Sequence, residues 1–387
     1  MRERAARLVG VDAARGVALL GMTAVHVLPA ESPDGGTGAA HLVAAGRSAA
    51  LFAVLAGVGV ALGTGGPRPV SGERRVRWAL GLVLRAALVA ALGLLLGELD
   101  SGVAVILPYY GLLFLAAIPV LRAPPARLLA AAAVVAVGVP VLSQLVRPHL
   151  DRPLRRNPTV DSLLEQPLQL LETLTVTGYY PVLSWTAYLL AGLAVGRLAL
   201  GDRRVAVRLL VGGAVVAAAA SAVSALLLGP LGGTGRIAEA DGLPAAEAAD
   251  AVAEGRFGTV PTTTWWWLAA DAPHSTTPFD LLHTTGTAIA VLGAALLVGT
   301  SLRGRARLVL TPLAAAGAMP LTLYSAHVVL LAAVDPDDDL GFWLLQVVIG
   351  LTAATAWRST GRRGPLEAVV AAATRPVVGA RGTIRPD

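Results

Sequence analysis

The chain of 387 residues is 55% hydrophobic and only 14% charged, and its mean hydropathy is +0.67. These values exclude an ordinary soluble globular protein and indicate an integral membrane protein. Cysteine is absent, which excludes disulfides, thiolate nucleophiles and cysteine-ligated metals. Lysine is also absent, and the arginines behind the formal charge of +6 lie in short clusters between apolar runs. This distribution is typical of membrane topology, so no nucleic-acid partner is expected.

Three polar residues interrupt the first apolar run, Val9–Pro29. Asp12 and Arg15 are three positions apart, and His26 follows Arg15 by about three helical turns, so one face of a helix carries all three. A charge near the middle of a bilayer costs roughly 3 kcal/mol or more. Such residues therefore indicate a partner or a function in the interior of the protein.

Apolar runs of about 17 to 25 residues recur along the chain, separated by turns that carry arginine, proline or glycine. They predict an all-α, polytopic integral membrane helical bundle of about ten transmembrane helices, forming a single domain over residues 1–387. Small residues in these alanine-rich runs permit close helix packing. The predicted spans are Val9–Pro29, Ala49–Gly65, Ala79–Gly97, Val103–Leu121, Leu128–Val146, Tyr179–Leu200, Leu209–Leu228, Leu281–Leu302, Leu310–Val334 and Phe342–Trp357.

The arginines also predict the orientation, because cytoplasmic loops carry an excess of positive residues. A cytoplasmic N-terminus assigns 22 of the 31 arginines to cytoplasmic segments. We therefore expect a multi-pass protein of the plasma membrane with both termini in the cytoplasm. Extracytoplasmic loops are predicted at residues 147–178 and 229–280, and a cytoplasmic tail at residues 358–387. The first loop contains an amphipathic stretch that Pro167 interrupts.

All six histidines fall in the outer half of this predicted bundle or in its external loops. Histidine is the commonest general base near neutral pH, so a cluster at one depth suggests a functional site there. Interfaces also contain histidine by chance, and this ordinary explanation is favoured for His41, His149 and His274 taken singly. The remaining three are His26, which ends the first span, His283, which begins the eighth, and His327, in the outer part of the ninth.

Other side chains at a similar depth are further candidates. Arg47 begins the second span and Tyr110 lies in the outer third of the fourth, whereas Arg85 in the third is interpreted as structural. Asp12 and Arg15 can satisfy each other and fix helix packing, or Arg15 can bind an anionic or carbonyl group; both alternatives stay open. Histidine pairs at metal-ligand spacing are absent from the sequence, so no metal is expected.

The sequence VDAARGVALLGMTAVH at positions 11–26 resembles the first span of the polytopic membrane acyltransferases. These comprise acyltransferase family 3, whose signature is the spacing of Arg15 to His26, and the related heparan-alpha-glucosaminide N-acetyltransferase family. One departure is that the active-site histidine of the heparan enzymes lies in the loop after the first span, which favours His41 over His26. Weaker similarities follow in LFAVLAGVGVAL (Leu51–Leu62), LPYYGLLF (Leu107–Phe114), GAMPLTLYSAH (Gly317–His327) and GPLE (Gly364–Glu367).

The resemblance implies a transmembrane acyltransferase. Its donor is expected to be cytoplasmic acyl-CoA, most simply acetyl-CoA, and its acceptor the hydroxyl or amine of an extracytoplasmic sugar, glycan or lipid-linked carbohydrate. His26 is the expected base or transient acyl carrier, Arg15 holds the donor or stabilises oxyanion charge, and Asp12 balances Arg15. Expected substrate-binding residues are Arg47, His41, Tyr110, His283 and His327.

Two other function classes stay open. A membrane transporter or permease can use the same Asp, Arg and His as a substrate or proton path, and it is favoured if matching halves of the chain contain broken spans. A scaffold or partner-binding subunit is favoured only if the polar stripe of the first span is dispensable.

Overall fold

The computed structural model describes residues 8–150, 156–302 and 308–378. Some segments used in the topology prediction lie outside these ranges. They are the arginines before the first span, the arginines at positions 303–307, part of the predicted loop at 147–178 and the end of the predicted tail. Within the described ranges the chain forms α-helices joined by turns and loops, some of which contain short 3₁₀ or π segments. The β structure of these ranges is limited to one isolated antiparallel bridge between Glu31 and Thr37. The all-α prediction is confirmed.

Each predicted span coincides with one helix or one pair of helices, and the stretch around Pro167 forms two short helices. The α-helices of the described residues are α1 (Val9–Val27), α2 (Ala39–Ala44), α3 (Arg47–Gly63), α4 (Gly72–Gly97), α5 (Leu107–Ala117), α6 (Pro125–Val146), α7 (Val160–Glu165), α8 (Pro167–Glu172), α9 (Val182–Gly196), α10 (Arg203–Leu228), α11 (Gly233–Asp241), α12 (Ala245–Ala253), α13 (Pro278–Ser301), α14 (Thr311–Ala316), α15 (Pro320–Ala333), α16 (Asp339–Ser359) and α17 (Pro365–Val378).

Six helical segments of the described chain are long and apolar enough to cross a membrane, and the bent pair α14–α15 adds a seventh if it counts as one span. The six are the joined segment α2–α3 and helices α4, α6, α10, α13 and α16. Helices α5 and α9 are shorter apolar segments, and α1, which contains Asp12, Arg15 and His26, is not among the six. The chain is therefore a membrane protein, but the predicted count of ten spans is not confirmed.

The predicted span Leu310–Val334 is broken. Helix α14 ends at Ala316, α15 begins at Pro320, and the two are bent by 66°. Pro320 has no N–H to donate to a preceding turn and restricts Met319, whose φ of −138° and ψ of 48° are not helical. The prediction of a continuous helix is wrong at this point, because proline is well suited to begin a helix and not to continue one.

A carboxylate from the last helix caps the start of α15. Glu367 on α17 accepts hydrogen bonds at Oε1 from the N–H groups of Leu321 (2.7 Å) and Thr322 (3.2 Å), and at Oε2 from the Thr322 hydroxyl (2.6 Å). A helix N-terminus leaves such N–H groups without intrahelical partners and favours negative charge. The GAMPLTLYSAH and GPLE motifs of the sequence therefore meet in space.

Helix α9 forms the centre of the bundle, with nearly every residue buried. It packs on α3 through glycines: a Cβ at Gly192 would collide with the Val54 carbonyl oxygen, and one at Gly57 with that of Leu189. The two backbones touch because neither glycine carries a side chain. The predicted role of small residues in close helix packing is confirmed at this contact.

A buried arginine ties the end of α9 to the end of α3. Arg197 is only 4% exposed. Its Nη1 donates to the carbonyl oxygens of Ala61 at 2.9 Å and Gly66 at 3.0 Å, and its Nη2 donates to the Thr64 hydroxyl at 3.0 Å and to the Leu121 carbonyl oxygen. Because a guanidinium stays charged, its burial requires partners of this kind. We interpret Arg197 as structural.

Candidate active site

Two histidines from opposite ends of the chain are in contact. His26, in the last turn of α1, has its Nδ1 3.1 Å from Nε2 of His327 on α15, and the two ring planes lie within 15° of each other with centroids 5.3 Å apart. His327 in turn has its Nδ1 2.8 Å from Oε1 of Gln346 on α16. The structure brings the predicted residues His26 and His327 into contact, and it adds Gln346, which sequence reasoning missed.

A small cavity lies beside His26. Its volume of about 20 Å³ has room for about one water molecule. His274 is the second histidine that lines it, whereas the predicted residues His41, His283 and His327 do not. The lining also includes Gly46, Ser48, Ala49, Tyr180 and Tyr324.

His274 reaches the cavity from the loop before α13. Its φ of 59° lies in the left-handed region, which is uncommon for a residue other than glycine. Its Nε2 accepts the N–H of Gly46 at 3.2 Å, and its ring stacks on Phe257 with centroids 5.6 Å apart. Burial lowers the pKa of His274 to about 4, so the ring is neutral at pH 7 and its Nδ1 carries the hydrogen. That Nδ1 has no hydrogen-bond partner among the described residues.

The cavity also lies at the N-terminus of α3. Gly46 precedes the helix with a φ of 70°, and no side chain of the described residues caps the helix. The first N–H groups of a helix have no intrahelical partner and carry partial positive charge. Ser48 and Ala49, both in the first turn, line the cavity. Their N–H groups can therefore bind an anion or a developing negative charge.

A chain of polar side chains lies at the same end of α3. Arg47 donates from Nε to His283 Nε2 at 3.0 Å, and the Ser221 hydroxyl lies 2.7 Å from His283 Nδ1. Ser221 also donates to Asp271 Oδ2 at 2.7 Å. Because His283 Nε2 accepts, Nδ1 carries the hydrogen and donates to Ser221. The structure thus brings together the predicted Arg47 and His283, and it adds Ser221 and Asp271.

The predicted pair in the first two turns of α1 forms as expected but lies away from the cavity. Arg15 Nη1 is 3.1 Å from Asp12 Oδ1, and Nη2 is 3.5 Å from the Leu55 carbonyl oxygen. A Cβ on Gly59 of α3 would come within 2.9 Å of the guanidinium, so that glycine makes room for it. Eleven residues at 1.5 Å each put His26 about 16 Å further along the axis. Asp12 and Arg15 are therefore not in contact with His26.

Two other predicted residues also lie apart from the cavity lining. His41 is half-buried on α2, and Tyr110 on α5 is buried with a hydroxyl that has no hydrogen-bond partner among the described residues. Tyr324 instead lines the cavity, and its hydroxyl accepts the N–H of Ile106 at 3.3 Å. Across the described residues, no group of three or more His, Asp or Glu could hold a metal ion.

A protein-family model described as heparan-alpha-glucosaminide N-acetyltransferase, catalytic, matches residues 7–225, more than half of the chain. The chain belongs to this N-acetyltransferase family. The resemblance found in the first span is thereby confirmed, and the helices that can cross a membrane agree with a family of membrane acyltransferases. No curated protein matches the chain significantly.

The region matched to the N-acetyltransferase family contains only part of the cavity. It includes His26, the start of α3 and Tyr180. His274 and Tyr324 line the cavity from beyond residue 225, and so do the residues behind His26, namely His327 and Gln346. The C-terminal third of the chain therefore completes the candidate site.

Proposed function

We propose that the protein is a transmembrane acetyltransferase. It takes an acetyl group from acetyl-CoA at the cytoplasmic side and transfers it to a hydroxyl or amine of an extracytoplasmic sugar, glycan or lipid-linked carbohydrate. Membership of the N-acetyltransferase family supports the acetyl donor. The observation that carries the proposal is the contact of His26 with His327 beside a cavity, because a general base needs a partner that orients it.

His26 is the proposed general base. The acceptor oxygen or nitrogen attacks the carbonyl carbon of the thioester while His26 removes the acceptor's proton. The carbon–sulfur bond then breaks, a carbon–oxygen or carbon–nitrogen bond remains, and the proton passes from His26 to the thiolate of coenzyme A. The whole transfer is neutral in protons, so His26 is restored after each turnover.

The N-terminus of α3 is the proposed binding site for the oxyanion that forms during this attack. Ser48 and Ala49 line the cavity in the first turn of the helix, where backbone N–H groups have no intrahelical partners. Fixed donors at the place where negative charge develops typically contribute about 3 kcal/mol to the transition state. The Nδ1–H of His274 is a third donor without a partner in the described residues.

Arg15 and Asp12 are proposed to act on the donor at some distance from the reacting carbon. Coenzyme A carries its thioester at the end of a long pantetheine arm, so a donor that enters from the cytoplasm extends along the bundle toward His26. Arg15 lies about 16 Å before His26 on the same helix. We assign it the binding of a carbonyl or phosphate oxygen of the donor, with Asp12 holding the guanidinium in place at 3.1 Å.

The acceptor is proposed to enter from the opposite side. His274, which lines the cavity, lies in the predicted extracytoplasmic loop at 229–280, so the acceptor is proposed to reach the cavity from that side. Both termini are then cytoplasmic and the protein resides in the plasma membrane. The proposed acceptor contacts at this end are Arg47 and His283, which contact each other at the start of α3. His327 is instead held between His26 and Gln346, and His41 and Tyr110 lie apart from the cavity lining.

A two-sided vesicle assay tests the proposal. Radiolabelled acetyl-CoA is supplied to the cytoplasmic face of sealed vesicles that contain the protein, and the label is followed into external or lipid-linked glycans. We expect labelled acceptor on the far side, and labelling about 10²- to 10⁴-fold slower in vesicles that contain the His26→Ala variant. Retention of the full transfer rate by that variant excludes His26 as the base. Absence of any acetyl-CoA binding by the intact protein excludes the donor.

A transporter is the second candidate. The pair α14–α15 has a 66° bend, and transporters bind substrates at discontinuous membrane helices. The described residues contain one such pair, whereas a transporter is favoured by broken spans in matching halves of the chain. A transporter would move an unmodified solute across the same vesicles without acetyl-CoA. Transport of that kind, together with no acetylated product, would replace the proposed acetyltransferase.

A further inference from the structure

The glutamine that contacts the His26–His327 pair has a specific hydrogen-bonding direction. Gln346 lies half-buried on α16, with its Oε1 2.8 Å from His327 Nδ1, and its Nε2 is buried without a partner among the described residues. An amide oxygen only accepts hydrogen bonds. His327 Nδ1 must therefore carry a hydrogen and donate it to Gln346.

The tautomer of His327 in turn determines the tautomer of His26. A neutral imidazole with hydrogen on Nδ1 has a lone pair on Nε2, so His327 Nε2 accepts. The atom opposite it at 3.1 Å is His26 Nδ1, which must then carry the hydrogen. His26 in turn keeps a lone pair on Nε2, and its ring lines the cavity. If the amide of Gln346 donated instead, both imidazoles would reverse and His26 Nε2 would carry a hydrogen.

We propose that Gln346 is a positioning residue that sets the tautomer of His327 and, through it, of His26, so that the basic nitrogen available to an acceptor is His26 Nε2. This inference rests on the proposed role of His26 as general base. The arrangement follows the general pattern in which a base is oriented by a second group and that group by a third. The amide does this without adding a charge to the membrane interior.

The position of Gln346 is itself held by a polar contact one turn earlier on α16. Trp343 donates from Nε1 to the Thr23 hydroxyl of α1 at 3.2 Å. Because Trp343 and Gln346 are three residues apart, they lie on the same face of α16 and both point toward α1 and α15. The Trp343–Thr23 hydrogen bond therefore helps to hold α16 at the position where the Gln346 amide contacts His327.

Nitrogen NMR spectroscopy tests the tautomers directly. The full chain is labelled with ¹⁵N-histidine in detergent or nanodiscs, and the His26 and His327 signals are assigned with the His26→Asn and His327→Asn variants. We expect both rings as the Nδ1–H tautomer, which is the less common form of free histidine. Signals of the Nε2–H form for both rings would overturn the inference. This measurement needs no acyl transfer, so it remains decisive even if the proposed function fails.

Two substitutions test the role of the amide. Gln346→Met removes the acceptor at similar size, and we expect mixed tautomers and a rate of acetyl transfer lowered roughly 10- to 100-fold, the range usual for partners that orient a functional histidine. Gln346→Glu keeps an acceptor and should retain the Nδ1–H signal of His327. Leu345→Met is the matched control, because Leu345 is 57% exposed on the same helix. Unchanged tautomers and rate in Gln346→Met would overturn the inference.

Discussion

His26 and His327 are 301 positions apart in the sequence, and their ring nitrogens Nδ1 and Nε2 are 3.1 Å apart. The contact joins α1, the first helix of the described chain, to α15 in the C-terminal part of the chain. His26 therefore acquires His327 and Gln346 as partners only after nearly the whole chain has been inserted and packed. A fragment restricted to residues 7–225, the part that matches the family model, would contain His26 without the partner that orients it.

Replacement of His26 should remove acetyl transfer without unfolding the protein. A general base contributes about two to four orders of magnitude in rate, so we expect His26→Ala to lower the transfer rate by about 10²- to 10⁴-fold. His149→Ala is the control, since His149 is exposed and lies outside the cavity lining. The rate is measured with radiolabelled acetyl-CoA in vesicles. Equal losses in the two variants would point to a general effect on the preparation.

Replacement of Arg15 should act on the donor. If Arg15 binds acetyl-CoA, Arg15→Ala raises the donor KM, and Asp12→Asn raises it less because the guanidinium loses only its orientation. Arg77→Ala serves as the control, because Arg77 belongs to an exposed pair with Glu73. Titration of acetyl-CoA at fixed acceptor gives the KM values. A loss of thermal stability in both variants with an unchanged KM would instead identify the Asp12–Arg15 pair as structural.

Removal of the carboxylate at position 367 should destabilise the C-terminal half of the bundle. Glu367 accepts two backbone N–H groups and one hydroxyl at the start of α15, and a hydrogen bond to a charged group is worth about 2 kcal/mol. We expect Glu367→Ala to lower the free energy of unfolding by about 2 kcal/mol, measured by denaturation in detergent. Glu73→Ala, which breaks only the exposed pair with Arg77, should cost far less. Equal effects would contradict the capping role.

The histidine in the loop before α13 should make stability depend on pH. Burial lowers the pKa of His274 to about 4 from an ordinary value of 6.5, so the unfolded chain binds more protons between these pH values. Stability should be unaffected by His274 above about pH 7 and should fall as the pH is lowered from about 6.5 to about 4. Thermal unfolding over this range measures the slope.

The matched variant for this measurement is His274→Asn. Asparagine tolerates the φ of 59° better than most residues. It does not titrate, so we expect a shallower loss of stability between pH 6.5 and 4 than in the unaltered protein. An identical slope in both proteins would exclude His274 as a source of the pH dependence.

The helices of the fold, and the polar residues of the first span, could be predicted from the sequence. Apolar runs of spanning length predicted where helices occur, since membrane helices must be apolar over about 20 residues. The spacing of Asp12 and Arg15 predicted their ion pair because helical periodicity is local. The break at Pro320 was missed because the flanking runs are both apolar, and hydropathy does not register a bend.

The other half of the site could not be predicted for a different reason. Gln346 is a single neutral side chain in an apolar helix, and its importance depends on a partner on another helix, His327. His274 depends on a backbone conformation of its loop that places it against Gly46. Neither the Gln346–His327 contact nor the His274–Gly46 contact produces a periodic pattern in the sequence. Only the motif GAMPLTLYSAH pointed toward this region, and it contains both Tyr324 and His327.

Because α16 is largely exposed to lipid, the rate of acetyl transfer should depend on the thickness of the bilayer. Only 6% of the most apolar stretch of this helix is buried in the protein, yet the helix carries Gln346 and Trp343. A helix with few protein contacts adjusts its tilt to the hydrocarbon thickness around it, at a cost of fractions of a kcal/mol per Å of mismatch. Tilting α16 moves the amide relative to His327. Reconstitution into phosphatidylcholines of increasing chain length should therefore give a maximal transfer rate at one thickness, so that the surrounding lipid sets the alignment of the base.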